Sequence, residues 1–485
     1  MARLKGTIRD TVSGAKVPAK VHVLNSGGRF VHPVDSILKV GPGDPFFYCD
    51  GDFEVQVPRG AVDIAVERGT EYTPLRQALY APTKGSVEVE LALRRWIDLP
   101  EQGWYPGNTH IHYDELESRP EERLRLEPEV NDLSATAISI LQRGQIPYAS
   151  NKFPIGFMTD FSTDHRQVDC GEETRHNAHH GGYGHVMLLN LRNLVEPVSR
   201  GDLVSAFDPD YPPLCHACDD AKTQGGMVIW CHNGSGMEAP VAAGLGKLDA
   251  FNLFDPCWKD LEYDIWYKLL NCGIRLPAST GSDWYVCSNN RVYVQTEDAF
   301  TYKSWLEGLK EGRTFITNGP ALWLAVEGQG PGAQIEARGR VTVEVEWRSH
   351  YPLDRVEVVR DGEVVGTRVL QETAEQREGA WSVDVDLAGD GWVAARVFGA
   401  ARDSFQQAVY AHASPVHVGT GVPAGPVGDA AAFFARGIEE SSELIGRFGR
   451  FTTDAQREEV LHLFAEGRKV YCDAKQRYCE QHGSE

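Results

Sequence analysis

The sequence has no long hydrophobic run, and none of its stretches approaches the roughly 20 continuous apolar residues that a membrane helix requires. Cysteine is sparse, with ten in 485 residues, and its scattered positions are typical of reduced thiols rather than of a disulfide scaffold. The first residues, MARLKGTIRD, contain no apolar core of a signal peptide. We therefore expect a globular, cytoplasmic protein without membrane spans.

Positive charge is also in short supply. The chain has 48 Lys and Arg residues against 69 Asp and Glu residues, which gives a formal net charge of −21. Nucleic acid phosphates and anionic lipid surfaces would be repelled by such a protein at long range. We expect neither nucleic acid nor membranes among its partners.

Two regions show the period-two alternation of apolar and polar residues that is typical of β-strands. Residues 1–97 contain segments such as FEVQV and SVEVELALR, and their pattern is similar to a transthyretin-like or carboxypeptidase-regulatory-like β-sandwich. Residues 319–418 repeat the alternation in RVTVEVEWRS and WSVDVDLAG, which predicts a second, immunoglobulin-like sandwich.

The other two regions have a different pattern. Residues 98–318 alternate apolar strands with helical stretches, which favours a mixed α/β domain of parallel strands and crossover helices, with a ligand site at the carboxyl ends of the strands. Residues 419–485 are predicted to form a helical tail for docking or homo-oligomerisation, because an apolar stripe recurs at helical spacing. The stripe consists of Val460, Leu463, Phe464 and Val470.

The chemistry is concentrated in the α/β region. In GNTHIHYD, His110 and His112 follow a strand-like segment, and alternation places both imidazoles on the same side, where they can reach one metal ion. A His-x-His pair alone is equally compatible with exposed or hydrogen-bonded histidines. Four later segments, CGEETRH, GYGHVMLLNL, GGMVIWCHNG and STGSDWY, each place a Glu, His or Asp at a strand end or its approach, and together they predict one metal site.

These motifs resemble those of the PHP-domain (polymerase and histidinol phosphatase) metallohydrolases, and specifically of their CehA/McbA branch, which includes carbaryl hydrolase. The resemblance covers residues 98–318 and extends to EGRTFITNGP and AHASPVHV. It implies a distorted (β/α)7 barrel flanked by the two β-sandwich modules. It also implies six metal ligands, with Glu172 competing with Glu173 for the carboxylate position: His110, His112, Glu173, His185, His232 and Asp283.

The resemblance and the chemistry of these residues agree on a binuclear centre. One divalent ion would take His110, His112 and Asp283, the other would take His185 and His232, and Glu173 would bridge the two. Zinc is the expected metal, with manganese or iron as alternatives. Such a pair holds a bridging hydroxide, so Glu173, Asp283 and His185 are assigned catalytic roles as well.

Departures from the family pattern bear on the number of metals and on the substrate. Many PHP enzymes bind a third ion through residues that would fall at Gln142-Arg143 and Trp284-Tyr285 here. Their absence favours two metals and weakens a phosphatase assignment. Arg143 is a candidate substrate-binding residue because its guanidinium could replace the charge of the third ion. His176 and His179, in the loop before His185, are further candidates.

The expected function is metal-dependent hydrolysis of an ester, carbamate or amide bond in a small molecule, by means of the bridging hydroxide. Phosphoester hydrolysis is the alternative within the enzyme class. A non-catalytic binding protein with a vestigial metal site is the alternative from another class.

Overall fold

The structure is a computed structural model that describes most of the chain. It describes residues 1–143, 146–176, 182–196, 208–254, 262–283, 285–336, 339–387, 389–423 and 425–482, with the backbone alone at 142–143, 146–147 and 481–482. The fold is mixed α/β and rich in strands, with a curved sheet that forms a half-barrel and helices at the C-terminal end.

The N-terminal region consists of two facing sheets. Its strands are β1 Ala2–Asp10, β2 Ala19–Leu24, β3 Leu38–Lys39, β4 Phe46–Cys49, β5 Asp52–Val57, β6 Gly60–Glu67, β7 Tyr72–Thr73, β8 Leu75–Ala81 and β9 Ser86–Arg95. One sheet has the order β5-β1-β9-β7 and the other β3-β4-β2-β6-β8. Alternate residues, such as Leu4 and Ile8 in one sheet and Val21 and Ile64 in the other, are buried between them.

The structure describes five α-helices in the central region. Its strands are β10 Trp104–Ile111, β11 Ala135–Ile140, β12 Gln142–Arg143, β13 Ile146–Pro147, β14 Gly156–Phe157, β15 Gln167–His176, β16 Gly184–Leu189, β17 Met227–Trp230, β18 Ala250–Asn252, β19 Ala278–Ser279, β20 Arg291–Gln295 and β21 Thr314–Thr317. The helices are α1 Pro120–Val130, α2 Leu214–Thr223, α3 Ala239–Gly244, α4 Asp264–Asn271 and α5 Tyr302–Lys310.

The direction of β16 departs from the parallel sheet expected from the sequence. Strands β10, β11 and β15 are parallel neighbours, as are β17, β18 and β19, but β16 is antiparallel to both β15 and β17. A parallel connection needs a crossover of a dozen or more residues, and only residues 177–183 separate β15 from β16. The short connection therefore forces the chain to turn back.

The half-barrel brings the segment after β19 against the end of β10. The backbone N–H groups of Ser282 and Asp283 both donate to the carbonyl of His110, at 2.9 and 2.8 Å. Gly281 permits this approach, because a Cβ at that position would lie only 2.5 Å from the Cβ of His110. Residues far apart in sequence therefore meet at one edge of the sheet.

The C-terminal β region shares a sheet with the central region. Its strands are β22 Ala321–Val326, β23 Gln334–Ile335, β24 Gly339–Arg348, β25 Arg355–Arg360, β26 Glu363–Val369, β27 Glu378–Leu387, β28 Gly391–Arg402, β29 Ala408–Ala413 and β30 Val416–Val418. Strands β22, β24 and β27 form a separate sheet, whereas β29 pairs with β21 and so continues the half-barrel sheet. The two sheets enclose one apolar core.

The chain ends in two long helices, α6 Val427–Phe448 and α7 Asp454–His482. Val460 and Phe464 are fully buried, and the hydroxyl of Tyr471 donates to the carbonyl of Pro240, so α7 packs against the central region of its own chain. Homo-oligomerisation through the tail stays a prediction. None of the described helices is both long and apolar enough to cross a membrane.

Candidate metal centre

Six predicted ligands converge at the edge where β10, β15, β16, β17 and the segment after β19 meet. They are His110, His112, Glu173, His185, His232 and Asp283. His110 lies in β10 and His112 just after it, while His232 directly follows Cys231 beyond β17. The six residues span more than half of the central region in sequence, so only the fold brings them together.

One set of ligand atoms surrounds the Oε2 atom of Glu173. The Nε2 atoms of His110 and His112 are 3.1 Å apart, and that of His112 is 2.8 Å from Oε2. The Oδ1 atom of Asp283 lies 3.2 Å from Nε2 of His110 and 3.5 Å from that of His112. This buried cluster could hold a metal ion.

A second set surrounds the other oxygen of Glu173, Oε1. It lies 3.0 Å from Nδ1 of His185 and 3.6 Å from Nε2 of His232, and these two nitrogens are 2.9 Å apart. The Oδ2 atom of Asp283 is 3.8 Å from Nδ1 of His232. Glu173 therefore faces both sets, one with each oxygen.

The spacing of these atoms fits the coordination shell of a metal. Ligand atoms about 2.1 Å from a tetrahedral ion lie about 3.4 Å from each other, and the observed separations bracket that value. The Oε1 atom of Glu173 is buried and has no hydrogen bond within the described residues, although His185 is close to it. A buried carboxylate oxygen without a hydrogen bond is costly, and a cation would satisfy it.

Backbone geometry supports a functional role for this edge. His232 and Asp283 both adopt positive φ angles, 54° and 55°, which are uncommon for residues other than glycine. The turn after His232 is held in place because the side chain of Asn233 accepts a hydrogen bond from the N–H of Phe254. Strain of this kind is found preferentially at binding and catalytic sites.

The electrostatics of the centre favour bound cations. Burial alone would raise the pKa of Glu173, but the nearby guanidinium of Arg175 and the imidazole of His110 lower it well below 4.5. Burial opposes charge on His112 as well, yet the hydrogen bonds of Asp283 and Glu173 raise its pKa to about 9. The shift of His112 shows that the carboxylates impose a strong negative potential on its ring nitrogens.

A hydrogen bond on the side away from the ligand cluster orients the ring of His112. Its Nδ1 atom lies 3.2 Å from the carbonyl of Ser139 in β11, so Nδ1 carries a proton that it donates to this carbonyl. In the neutral ring that a metal ligand requires, the lone pair of Nε2 is then directed toward the cluster.

The structure distinguishes the two competing carboxylates. Glu172 and Glu173 are adjacent in β15, so their side chains lie on opposite faces of the strand. The carboxylate of Glu172 accepts hydrogen bonds from the hydroxyl of Thr174 and the N–H of Val195. It therefore lies away from the four histidines that surround Glu173.

The three candidate substrate residues have different outcomes. His176 does not join the cluster: its Nε2 lies 3.2 Å from Asp210, its Nδ1 accepts from the N–H of Tyr183, and its ring stacks on that of Tyr183. Alternation along β15 places it on the same face as Glu172, and it lies in this strand rather than in a loop, so its role in substrate binding stays a prediction. The side chain of Arg143 and all of His179 lie outside the described residues.

Sequence reasoning missed three features of the site. Arg175 donates from Nη2 to Oε2 of Glu173 at 2.8 Å, and the Sγ atom of Cys231 lies within 4.8 Å of ligand atoms of Glu173 and His232. Tyr148 stacks on Tyr285, with its ring 6.4 Å from that of His112. Strand alternation in EETR, which puts the arginine on the face of Glu173, was the available signal for Arg175.

The site is buried on one side and open on the other. His110 and Glu173 have no exposed side-chain surface, whereas His185 and Asp283 keep 20% and 16% of theirs. The solvent-accessible part of the cluster therefore lies on the side of His185 and Asp283. No protein-family model matches the chain, and no curated protein matches it either.

Proposed function

We propose that the protein is a hydrolase of small molecules that depends on two divalent metal ions. The observation that supports this most strongly is the position of Glu173, whose two oxygens face two separate sets of imidazoles. His110, His112 and Asp283 would hold one ion, and His185 and His232 the other. Paired divalent ions in such a shell lower the pKa of a water molecule and polarise the bond to be cleaved.

Side chains in and around the ligand set would determine the charge and the geometry of such a centre. Glu173 holds its negative charge because the pKa of its carboxyl lies well below 4.5, so it can offset two cations at neutral pH. Ser139 orients His112, and the hydrogen bonds from Ser282 and Asp283 to the His110 carbonyl hold Asp283 beside the histidines. The buried ring of Tyr148 lies next to His112 and stacks on Tyr285, which fixes the apolar side of the centre.

The fold is compatible with a PHP-type barrel of the CehA/McbA branch, which the motifs resemble. Seven strands, β10, β11 and β15 to β19, follow one another around the half-barrel, and the segment after β19 returns to β10. The ligands lie at the edge where that segment meets β10. We favour an ester, carbamate or amide as the bond cleaved, with zinc, manganese or iron as the metal.

Arg175 provides an argument for a second candidate, phosphoester hydrolysis. Its guanidinium adds a positive charge beside a centre that would already hold two cations. A planar fork of donors at that position suits a phosphate or carboxylate group on the substrate. Within either reaction, we therefore expect substrates with an anionic group to be preferred over neutral ones.

Metal analysis followed by a substrate panel tests the proposal. Purified protein should contain or take up two equivalents of zinc, manganese or iron, and chelation should remove activity on a panel of nitrophenyl esters, carbamates and phosphoesters. Readdition of metal should restore it. A protein that binds metal but cleaves none of the panel would favour a non-catalytic binding role, and one that binds no metal would refute the proposal.

A further inference from the structure

A second polar cavity lies at the junction of the N-terminal and C-terminal β regions, far in sequence from the metal ligands. Its volume is about 340 Å³, within the range that small-molecule sites occupy. Residues of β2, β4 and β6 form one wall, and the segment from Arg402 to Gln406 forms another. It shares no residue with the metal centre.

Lys20 is the unusual residue of this cavity. Its side chain lines the cavity although the residue is only 4% exposed, and its ammonium lies 5.3 and 5.2 Å from the ring centroids of Phe46 and Phe405. Within the described part of the chain, its sole hydrogen bond is to the carbonyl of Cys287, at 3.1 Å, and it forms no ion pair. A buried ammonium has three donors, and a single carbonyl acceptor leaves two of them without a hydrogen bond.

The carboxylates around the cavity do not fill this role. Asp403 accepts from the N–H groups of Phe405 and Gln407 and from the side chain of Asn318, so its oxygens are already occupied. Burial raises the pKa of Asp403 to about 7, which reduces its negative charge at neutral pH. Glu67 forms no ion pair with Lys20, although the two residues are cross-strand partners.

Other polar atoms lie on the same wall. The Nδ1 atom of His22 lies 2.5 Å from the carbonyl of Pro45 and donates to it, so Nε2 is an acceptor, buried and without a partner in the described residues. Arg76 and Arg402 also line the cavity and bring two further cations to it. The cavity thus combines an ammonium, an imidazole acceptor and two apolar ring faces.

We propose that this cavity binds a small organic monocarboxylate, with Lys20 as its counterion and the rings of Phe46 and Phe405 against its apolar part. One negative charge matches the ammonium. A second would not be compensated, because Asp44 and Glu67, which also line the cavity, offset Arg76 and Arg402. The proposal is independent of the metal centre, since no residue of that centre takes part.

The test is a fluorine NMR titration of the full chain with 4-fluorobenzoate, in the presence of EDTA so that the probe cannot bind to a metal. We expect saturable binding. The neutral 4-fluorobenzyl alcohol and the dianion 4-fluorophenyl phosphate should bind at least about tenfold more weakly. Lys20→Met, which keeps the length of the stem and removes the charge, should weaken 4-fluorobenzoate binding by at least about tenfold.

Lys84→Met is the matched control, because Lys84 is exposed in a turn outside the cavity, and it should bind the probe like the wild type. Phe405→Leu, which removes one ring face and keeps Lys20, should weaken binding of 4-fluorobenzoate severalfold. It provides a second test of the cavity if Lys20→Met fails to fold. Absent or non-saturable binding to the wild type would overturn the proposal. So would equal binding by folded Lys20→Met, or tighter binding of the dianion or the neutral alcohol.

Discussion

Three carboxylates of strand β15 experience very different surroundings. Burial raises the pKa of Asp169 to about 6 and that of Glu172 to about 7, whereas the pKa of Glu173 lies well below 4.5. All three are at least nine-tenths buried, so loss of hydration alone cannot explain the difference. The explanation is the set of neighbours: Asp169 and Glu172 meet hydroxyl and N–H groups, while Glu173 meets Arg175 and four imidazoles.

Asp169 and Glu172 therefore hold the fold together through hydrogen bonds, whereas Glu173 remains charged. Asp169 accepts from the N–H of Asn190 and from the hydroxyl of Tyr302, which ties β15 to α5. Neutral carboxyl groups can fill such positions. Glu173 is buried with its charge intact, and that arrangement is stable only where positive charge is supplied.

The largest expected effect comes from exchanging the two adjacent glutamates for glutamine. Glu173→Gln removes the charge that both ligand sets share, so metal affinity measured by calorimetry should fall by more than about 100-fold, with a matching loss of hydrolysis. Glu172→Gln is the matched control. It can still accept from Val195, and its metal affinity should change by less than about threefold. Equal losses of metal affinity in the two variants would show that the two faces of β15 do not differ in their role at the metal centre.

Part of this site was accessible from sequence, and part was not. The apolar runs before His112, His232 and Asp283 predicted strands whose ends would meet, and the structure brings these residues together. The choice between Glu172 and Glu173 required the register of β15 against β16, since a shift of one residue exchanges the two faces. The direction of β16 likewise depended on the length of a connection rather than on any pattern within the strand.

The junction cavity was beyond sequence reasoning altogether. Lys20 reads as one polar residue in an alternating strand, and nothing in that pattern predicts burial against Phe405, which is hundreds of positions away. The continuity of β21 with β29 was equally hidden, because a composition change at residue 319 looks like a domain boundary even where a sheet passes through it. Long-range packing, rather than local pattern, determines both.

A pH-dependent effect on stability is expected next in size. The folded pKa of Asp169 is raised to about 6 from 3.8, so its contribution to stability is greatest below pH 4 and is lost as the pH rises to about 6. That loss amounts to about 2–3 kcal/mol of unfolding free energy. Asp169→Asn cannot ionise, and the oxygen of its amide can still accept from Asn190 and Tyr302.

Urea unfolding of both proteins at pH 4 and pH 8, with EDTA present, measures the effect. Relative to the wild type, Asp169→Asn should be more stable at pH 8 than at pH 4 by about 2–3 kcal/mol. The difference between the two pH values cancels any constant cost of the new amide, which would face the position of Oδ1, an atom without a hydrogen bond in the described residues. A pH-independent difference would show that Asp169 is not buried as a neutral acid.

Arg175 should give a smaller effect with opposite signs for metal and for anion. Its Nη2 donates to Oε2 of Glu173, so the guanidinium competes with a cation for that oxygen. Arg175→Gln should therefore tighten metal binding severalfold and weaken inhibition by inorganic phosphate by about tenfold. Arg175→Lys keeps the charge without the planar fork. Its metal affinity and its inhibition by phosphate should lie between those of the wild type and those of Arg175→Gln. Weaker metal binding in Arg175→Gln would show instead that the arginine positions Glu173.

The smallest effect on the metal centre is expected from substitution of His176. This residue follows Arg175 in β15 and lies on the opposite face of the strand. His176 binds Asp210 through Nε2 and accepts from the N–H of Tyr183 through Nδ1. Asp210 in turn donates its N–H to the carbonyl of Arg450, between α6 and α7, and its carboxylate accepts from the N–H of Arg450. These contacts join the end of β15 to the helical tail.

His176→Gln keeps one acceptor and loses the ring, so the free energy of unfolding should fall by about 1 kcal/mol, as measured by urea unfolding with EDTA present. Metal affinity should stay within about threefold of the wild type, because the side chain points away from Glu173 and Arg175. If His176→Gln instead removed metal as strongly as Glu173→Gln while its unfolding free energy stayed unchanged, the two faces of β15 would not be separate, and His176 would belong to the site after all.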